Sequence, residues 1–187
     1  METVINEIKA TKDPASKVLD REICLKLLKH YGTPPHVINH CLAVTDTALR
    51  IGRALNSLGK NLDLEMLESA ALLHDIARVE ENHGGKGAEL AERLGYQEIA
   101  ELIRYHMTYL TDPAKLEINE LDILCLADRM VKENVYVGIE ERMDYILEKC
   151  KHDPVATERI RHRRGEIKRL CERIEALIGM SMDELMT

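Results

Sequence analysis

The run Ala70-Ala71-Leu72-Leu73-His74-Asp75-Ile76-Ala77-Arg78 decides how this chain is read. Its small and leucine side chains describe a helix buried on most sides, reaching from about Leu64 to Arg78 with Asp63 as its cap, and an adjacent histidine and aspartate interrupt the apolar surface. An imidazole and a carboxylate among apolar neighbours cost several kcal/mol, roughly, unless they are paired or bind a cation. A buried His-Asp hydrogen bond that only supports packing would meet that demand, and so would a metal. Taken alone the pair favours the packing role; its company along the chain reverses the preference.

The composition removes several function classes. With 187 residues the chain fits one domain and can bury a core without staples. A net charge of −7 argues against a surface built for polyanions, and the absence of Phe and Trp leaves few platforms on which bases could stack. No nucleic-acid polymer is therefore expected as a partner. Cys24, Cys41, Cys125, Cys150 and Cys171 are widely spaced with no Cys-x-x-Cys, which reads as reduced, structural thiols. The first residues carry Glu2 and Glu7 rather than a basic flank, and no apolar run approaches the roughly 18 residues of a membrane span. A cytoplasmic protein without a membrane partner is expected, and a homodimer is left open.

Around the central run the chain reads as successive helices. Residues 1–19 form an arm or short helix broken at Asp13-Pro14, 20–137 one helical domain, and 138–187 a helical extension packed on it. Asp20 caps a helix with Ile23, Leu25, Leu27 and Leu28 on its apolar side, stopped by Tyr31-Gly32-Thr33-Pro34-Pro35. The prolines open a second helix to Gly59, whose core stripe of Val37, Cys41, Val44, Ala48, Ile51 and Leu55 also carries His40. Past the central helix, Glu80 to Gly87 is the most glycine-dense stretch and puts His83 at a loop or helix entrance. A helix through Ala88 to Leu94 ends at Gly95. Another runs from Gln97 to about Tyr109 with His106 near its end, closed by Thr111-Asp112-Pro113. Residues 117–131 give an amphipathic helix with Asp128 among apolar neighbours. Two charged helices follow, Ile139 to about Lys151 and Pro154 to about Ile178, the second with Ile160, Ile167, Leu170, Ile174 and Leu177 as its stripe, then a short tail after Gly179. No alternating strand pattern or internal repeat is visible, so the fold class is all-α.

Besides Asp75, five residues stand out, His40, His74, His83, His106 and Asp128, which fall on five different segments, each near a helix end or on an apolar face. A lone core histidine is usually structural; the order carries the weight. Read as His, His-Asp, His, His, Asp, the series resembles the HD-domain metal-dependent phosphohydrolase superfamily over roughly residues 20–150. His40, His74, Asp75 and Asp128 match its four-residue core in the contexts Asn39-His40-Cys41-Leu42-Ala43-Val44, Leu72-Leu73-His74-Asp75-Ile76 and Leu126-Ala127-Asp128-Arg129. The chain has Ala77 where many members have glycine, and Arg78 where many have lysine. His83 and His106 are similar in placement to the extra histidines of the dinuclear branch, in which the Asp of the pair bridges two metals. The stretch His83-Gly84 with Gly87-Ala88 looks most like small bacterial dinucleoside-polyphosphate hydrolases, although the helices from about Ile139 are not part of that small domain.

The resemblance implies a metal-binding helical domain and an enzyme that cleaves a phosphoester or phosphoanhydride of a nucleotide or related small molecule. Its metals would be bound by all six residues, with Asp75 also catalytic as the bridge. Four imidazoles and two carboxylates suit transition metals better than calcium: two per chain, Fe or Mn favoured, with Zn, Ni, Co or Mg admitted. Arg78, one turn beyond His74, is the second catalytic candidate, a fixed cation for charge developing on phosphoryl oxygens. Lys86 reads as a solvated loop lysine. The arginines at 159, 161, 163 and 164 could draw phosphate, but interleaved glutamates favour a solvated face. Two other functions fit the same ligands: a mixed-valence diiron oxygenase, and a non-catalytic, metal-stabilised nucleotide-binding module.

Overall fold

The computed structural model describes residues 2–11, 17–108 and 117–187, and it is all-α. The expected break at Asp13-Pro14, the helix end at Tyr109 and the stop at Thr111-Asp112-Pro113 lie outside the described residues. Helices α1 (Glu2–Thr11), α2 (Arg21–Tyr31), α3 (Pro35–Ser57), α4 (Leu64–Leu73), α5 (His83–Arg93), α6 (Gln97–Tyr105) and α7 (Glu120–Asp128) follow in order. A two-strand hairpin, β1 (Val131–Lys132) and β2 (Val135–Tyr136), leads to α8 (Gly138–Cys150), α9 (Pro154–Ile178) and α10 (Met182–Met186).

The spine is α3. Pro35 at its first turn sets φ without sacrificing a helical donor, and Val37, Cys41, Val44, Ala48, Ile51 and Leu55 turn inward along one stripe. Against it pack α4 and α7, and α2 and α6 pack in turn on α4. Leu27, Ile51, Leu55, Leu67 and Leu72 are fully buried in this centre, each contributing roughly 1.5–3 kcal/mol of transfer free energy. Ile139, Met143, Ile167, Leu170, Ile174 and Met182 of the C-terminal helices belong to the same core cluster. So do Ile5 and Ile8, so the first segment is a helix with a docked face.

The central helix is shorter than its apolar run predicts. It ends at Leu73, and residues 74–79 are successive turns. His74 Nδ1 takes the Ala71 carbonyl at 2.8 Å, the oxygen that the Asp75 amide would use in a continuing helix. The chain then tightens into i to i+3 bonds, Ile76 N to Leu73 O, Arg78 N to Asp75 O and Glu80 N to Ala77 O. Thr33 Oγ1 donates to the Ile76 carbonyl at 2.7 Å and Tyr31 donates to the Glu80 carboxylate, so the α2–α3 corner pins this segment. On a regular helix adjacent side chains diverge by about 100°. Leaving the helix lets His74 and Asp75 face one centre.

The same device ends α6 at Tyr105, where His106 Nδ1 takes the Ile103 carbonyl at 2.6 Å. Helix α7 begins with a capping box between Asn119 and Asp122 and stops at Asp128, short of residue 131, because the hairpin takes over. Two-residue strands fall below the length at which alternation can be read, so the hairpin left no sequence signal. The tail after Gly179 folds as α10, whose Asp183 accepts from Tyr136 Oη at 2.7 Å and whose Met186 carbonyl accepts from Arg50 at 2.9 Å. In α9, Ile167, Leu170 and Ile174 are buried as the stripe requires, but Leu177 is exposed.

Candidate metal centre

The six residues singled out by order converge. His40 comes from α3, His74 and Asp75 from the turns after α4, His83 from the first position of α5, His106 from the end of α6 and Asp128 from the last position of α7. Their rings form a chain, with centroid separations of 5.5 Å for His40 and His74, 5.1 Å for His74 and His106 and 5.4 Å for His83 and His106. Ligand-type atoms of His40, His74 and Asp128 lie within 4.8 Å of one another, and so do those of His74, Asp75 and His106.

Hydrogen bonding fixes which nitrogen faces inward. A carbonyl only accepts, so Nδ1 must carry the hydrogen in His74, in His106 and in His40, whose Nδ1 lies 2.7 Å from Glu133 O. Each neutral ring then aims an Nε2 lone pair at the centre, the orientation that a backbone carbonyl imposes on a metal-binding histidine. Glu133 reaches His40 from the hairpin turn, where its φ is +56°.

Asp75 stands between two sets of imidazoles. Its Oδ2 is 3.6 Å from His74 Nε2 and 4.0 Å from His40 Nε2; its Oδ1 is 3.2 Å from His83 Nε2 and 3.7 Å from His106 Nε2. Asp128 closes the first set, with Oδ1 3.2 Å from His40 Nε2 and Oδ2 paired to Arg129. His74 Nε2, Asp75 Oδ1 and His106 Nε2 are buried with no hydrogen-bond partner among the described residues. Such unsatisfied groups destabilise a fold by about 1–3 kcal/mol each. An imidazole lone pair facing a carboxylate oxygen also repels it unless a proton or cation lies between. The donor set therefore fits divalent cations.

The electrostatics agree. Burial works to lift the Asp75 carboxyl, but His74, His106, His83 and Arg78 together hold it well below the usual carboxylate range. Asp128 is likewise ionised against its burial, chiefly by Arg129. Burial pushes His74 down to about 4, so it is neutral at physiological pH and its lone pair is free. His40 is also opposed by burial, but its hydrogen bond to Asp128 outweighs this and raises it.

Arg78 lies at the mouth, its side chain 45% exposed, with Nη1 3.5 Å from Asp75 Oδ1 and 3.3 Å from His83 Nε2. Lys86 is an exposed partner of Glu89 at 3.8 Å. The solvated-face reading of α9 holds for Arg164, which pairs with Glu140 and Asp144, and for Arg161, which lies 3.7 Å from Glu158. It fails for Arg163, whose Nε is buried without a partner, as is that of Arg142 on α8. Sequence reasoning also passed over Arg129; its position directly after an apolar-set aspartate was the available signal.

The HD-domain family model matches residues 37–132, just over half of the chain and a span that contains all six residues. The chain belongs to the HD-domain family. Proteins of this family bind divalent metals and are generally metal-dependent hydrolases. Among similar proteins are an uncharacterized protein of Methanocaldococcus jannaschii, 35% identical over 88 residues, which are 46% of this chain and 52% of the relative. Another is the tRNA (cytidine(56)-2'-O)-methyltransferase of Thermoplasma volcanium, 26% identical over 182 residues, 89% of this chain and 50% of the relative. The chain spans about half the length of these curated relatives. No solved structure matches it.

Proposed function

We propose that this HD-domain protein is a dinuclear metal-dependent phosphohydrolase acting on a nucleotide or a related small phosphorylated molecule. The observation that supports it most is the division of Asp75, whose two oxygens each face a different set of imidazoles. His40, His74, Asp75 and Asp128 would hold one cation, and Asp75, His83 and His106 a second, iron or manganese by preference. Cations bound there supply Lewis-acid charge and an activated water. The chain's own part is to orient and to balance charge. Carbonyls of Ala71, Ile103 and Glu133 hold the imidazoles by their Nδ1 hydrogens, Arg129 keeps Asp128 ionised, and the half-exposed Arg78 can swing to a phosphoryl oxygen as charge builds there. In this reading residues 20–137 are the metal-binding domain, preceded by 1–19 with its short docked helix and followed by 138–187 as an extension that completes the substrate side.

The test is a panel of phosphomonoesters, phosphodiesters and nucleoside polyphosphates, dinucleoside polyphosphates included, assayed on protein of measured metal content. Turnover of at least one class that disappears on chelation and returns with Mn or Fe is expected. Metal-loaded protein that turns over none of them, yet consumes oxygen with an organic substrate, would place it among the diiron oxygenases; binding without either reaction would make it a regulatory module.

One observation favours a second substrate class. Most of the chain, 89% of it, aligns with part of a tRNA methyltransferase, so a tRNA transcript belongs in the same panel. Metal-dependent cleavage of the transcript alone would replace the small-molecule reading, against the net charge of −7.

A further inference from the structure

Beside the metal centre, His106, Arg129, Arg163 and Glu166 line a cavity of about 20 Å³, room for one oxygen-sized group. The arginines come from three elements: Arg129 follows α7, Arg142 is on α8 and Arg163 on α9. Only Arg129 is neutralised, by Asp128. Arg142 lies 5.7 Å from the centre of the Tyr145 ring and Arg163 has no ion pair among the described residues, while the Nε atoms of both are buried and unpartnered. Glu166 lines the same cavity and pairs with His162 Nε2 at 3.2 Å. Burial lowers both guanidinium groups; Asp128 raises Arg142 while Arg129 lowers it, and Arg129 lowers Arg163 while Glu166 raises it.

Two partly buried cations, each with a buried, unpartnered Nε and neither in an ion pair among the described residues, weaken the native state, the more so beside a third. Leucine or methionine would serve the packing better. Arg163 lines the cavity with His106 and Arg129, and Arg142 of α8 lies within the electrostatic reach of Asp128 and Arg129, so an anion held at the metal centre would meet both. Building on the phosphohydrolase reading, we infer that Arg129, Arg142 and Arg163 form an anion subsite for a second phosphate of the substrate, with one of its oxygens seated in the cavity. The substrate then carries two or more linked phosphates, and simple monoesters leave the subsite unused. Arg142 and Arg163 supply forked N–H donors, which suit a phosphate better than point charges do.

The experiment uses the metal-loaded full-length protein, with calorimetric titration of inorganic tripolyphosphate and, separately, inorganic phosphate into wild type, Arg142→Met and Arg163→Met. Each variant should weaken tripolyphosphate binding by about tenfold or more and phosphate binding by less than about threefold. Metal content should be unchanged, and the melting temperature without ligand equal or higher, because an unmatched buried charge has gone. Equal weakening of both probes, no weakening of either, or a lower melting temperature with loss of metal would overturn the subsite. If Arg163→Met does not fold, Arg163→Lys decides: an intermediate, tripolyphosphate-selective loss supports the subsite, and none overturns it. Wild-type turnover of the phosphoester panel is read independently. Selective binding loss without any turnover would leave the subsite standing and remove the phosphohydrolase reading; turnover without selective loss would do the reverse.

Discussion

At the residue scale, the centre is built by side chains that commit one atom to a neighbouring group and keep another for the middle. His40, His74 and His106 give Nδ1 to a carbonyl, and Asp128 gives Oδ2 to Arg129. Asp75 alone presents both oxygens to imidazoles. Asp75→Ala should therefore lose both metals, measured by elemental analysis, and should melt below wild type because the imidazoles lose their shared partner. Full metal content in that variant would contradict the bridge. Arg78 is different in kind, being half-exposed and held only by contacts to Asp75 and His83. Arg78→Ala should lower turnover by roughly 10²-fold with metal content unchanged, and Arg78→Lys should recover part of the rate by restoring charge without the fork. Near-normal turnover in the alanine variant would return Arg78 to the role of a solvated side chain. The six residues were singled out in the sequence by their order along the chain, since each imidazole taken alone reads as structural. Arg142 and Arg163 were not, because an arginine between glutamates on a charged helix looks the same whether its own side chain points to water or to a cavity.

At the scale of elements, five of the six candidate residues sit at or just past helix ends, and His40 lies within α3. His83 opens α5, Asp128 closes α7, and His74 and His106 follow α4 and α6. Periodicity placed all of these helices but overran three ends, at Leu73, Tyr105 and Asp128; the first two are stopped by side-chain bonds of the very histidines that looked like helical residues, the third by the hairpin. Close approach of α5 to α6 brings His83 to His106, and glycine permits it. A Cβ at Gly84 would lie 3.3 Å from the carbonyl oxygens of both Ile103 and Arg104, backbone atoms that cannot rotate away, and 3.6 Å from the His106 ring. Gly84→Ala has the better helix propensity, by roughly 1 kcal/mol, yet should destabilise, because α5 must back off α6. The expected outcome is a lower melting temperature and weaker metal binding at the His83 side. A more stable variant with full metal content would show that the contact is looser than these distances.

For the whole molecule, the buried imidazoles link stability to pH. In metal-free protein His74 is held near 4 by burial, whereas an unfolded chain titrates histidine at about 6.5. Between those values the unfolded state binds the extra proton, so stability present above about pH 6.5 is lost as pH falls toward 4, by on the order of 3 kcal/mol. His40 acts in the opposite sense: its raised value favours the fold at low pH and that contribution fades as pH rises through it, offsetting part of the loss. Melting of the chelated protein from pH 7 to pH 4 should show a net decline, and a midpoint that rises on acidification would refute the dominance of His74. The all-α architecture was legible because long amphipathic stripes dominate the chain; the β1–β2 hairpin was not, being set by a turn at Glu133 that its sequence does not announce.

The central claim is that six side chains from five segments hold two metals across Asp75. Elemental analysis of full-length protein, wild type beside His83→Ala, tests it most directly, because His83 faces only one of the two Asp75 oxygens. The account predicts two transition-metal ions per chain in the wild type and one in the variant. One ion per chain in both would contradict it.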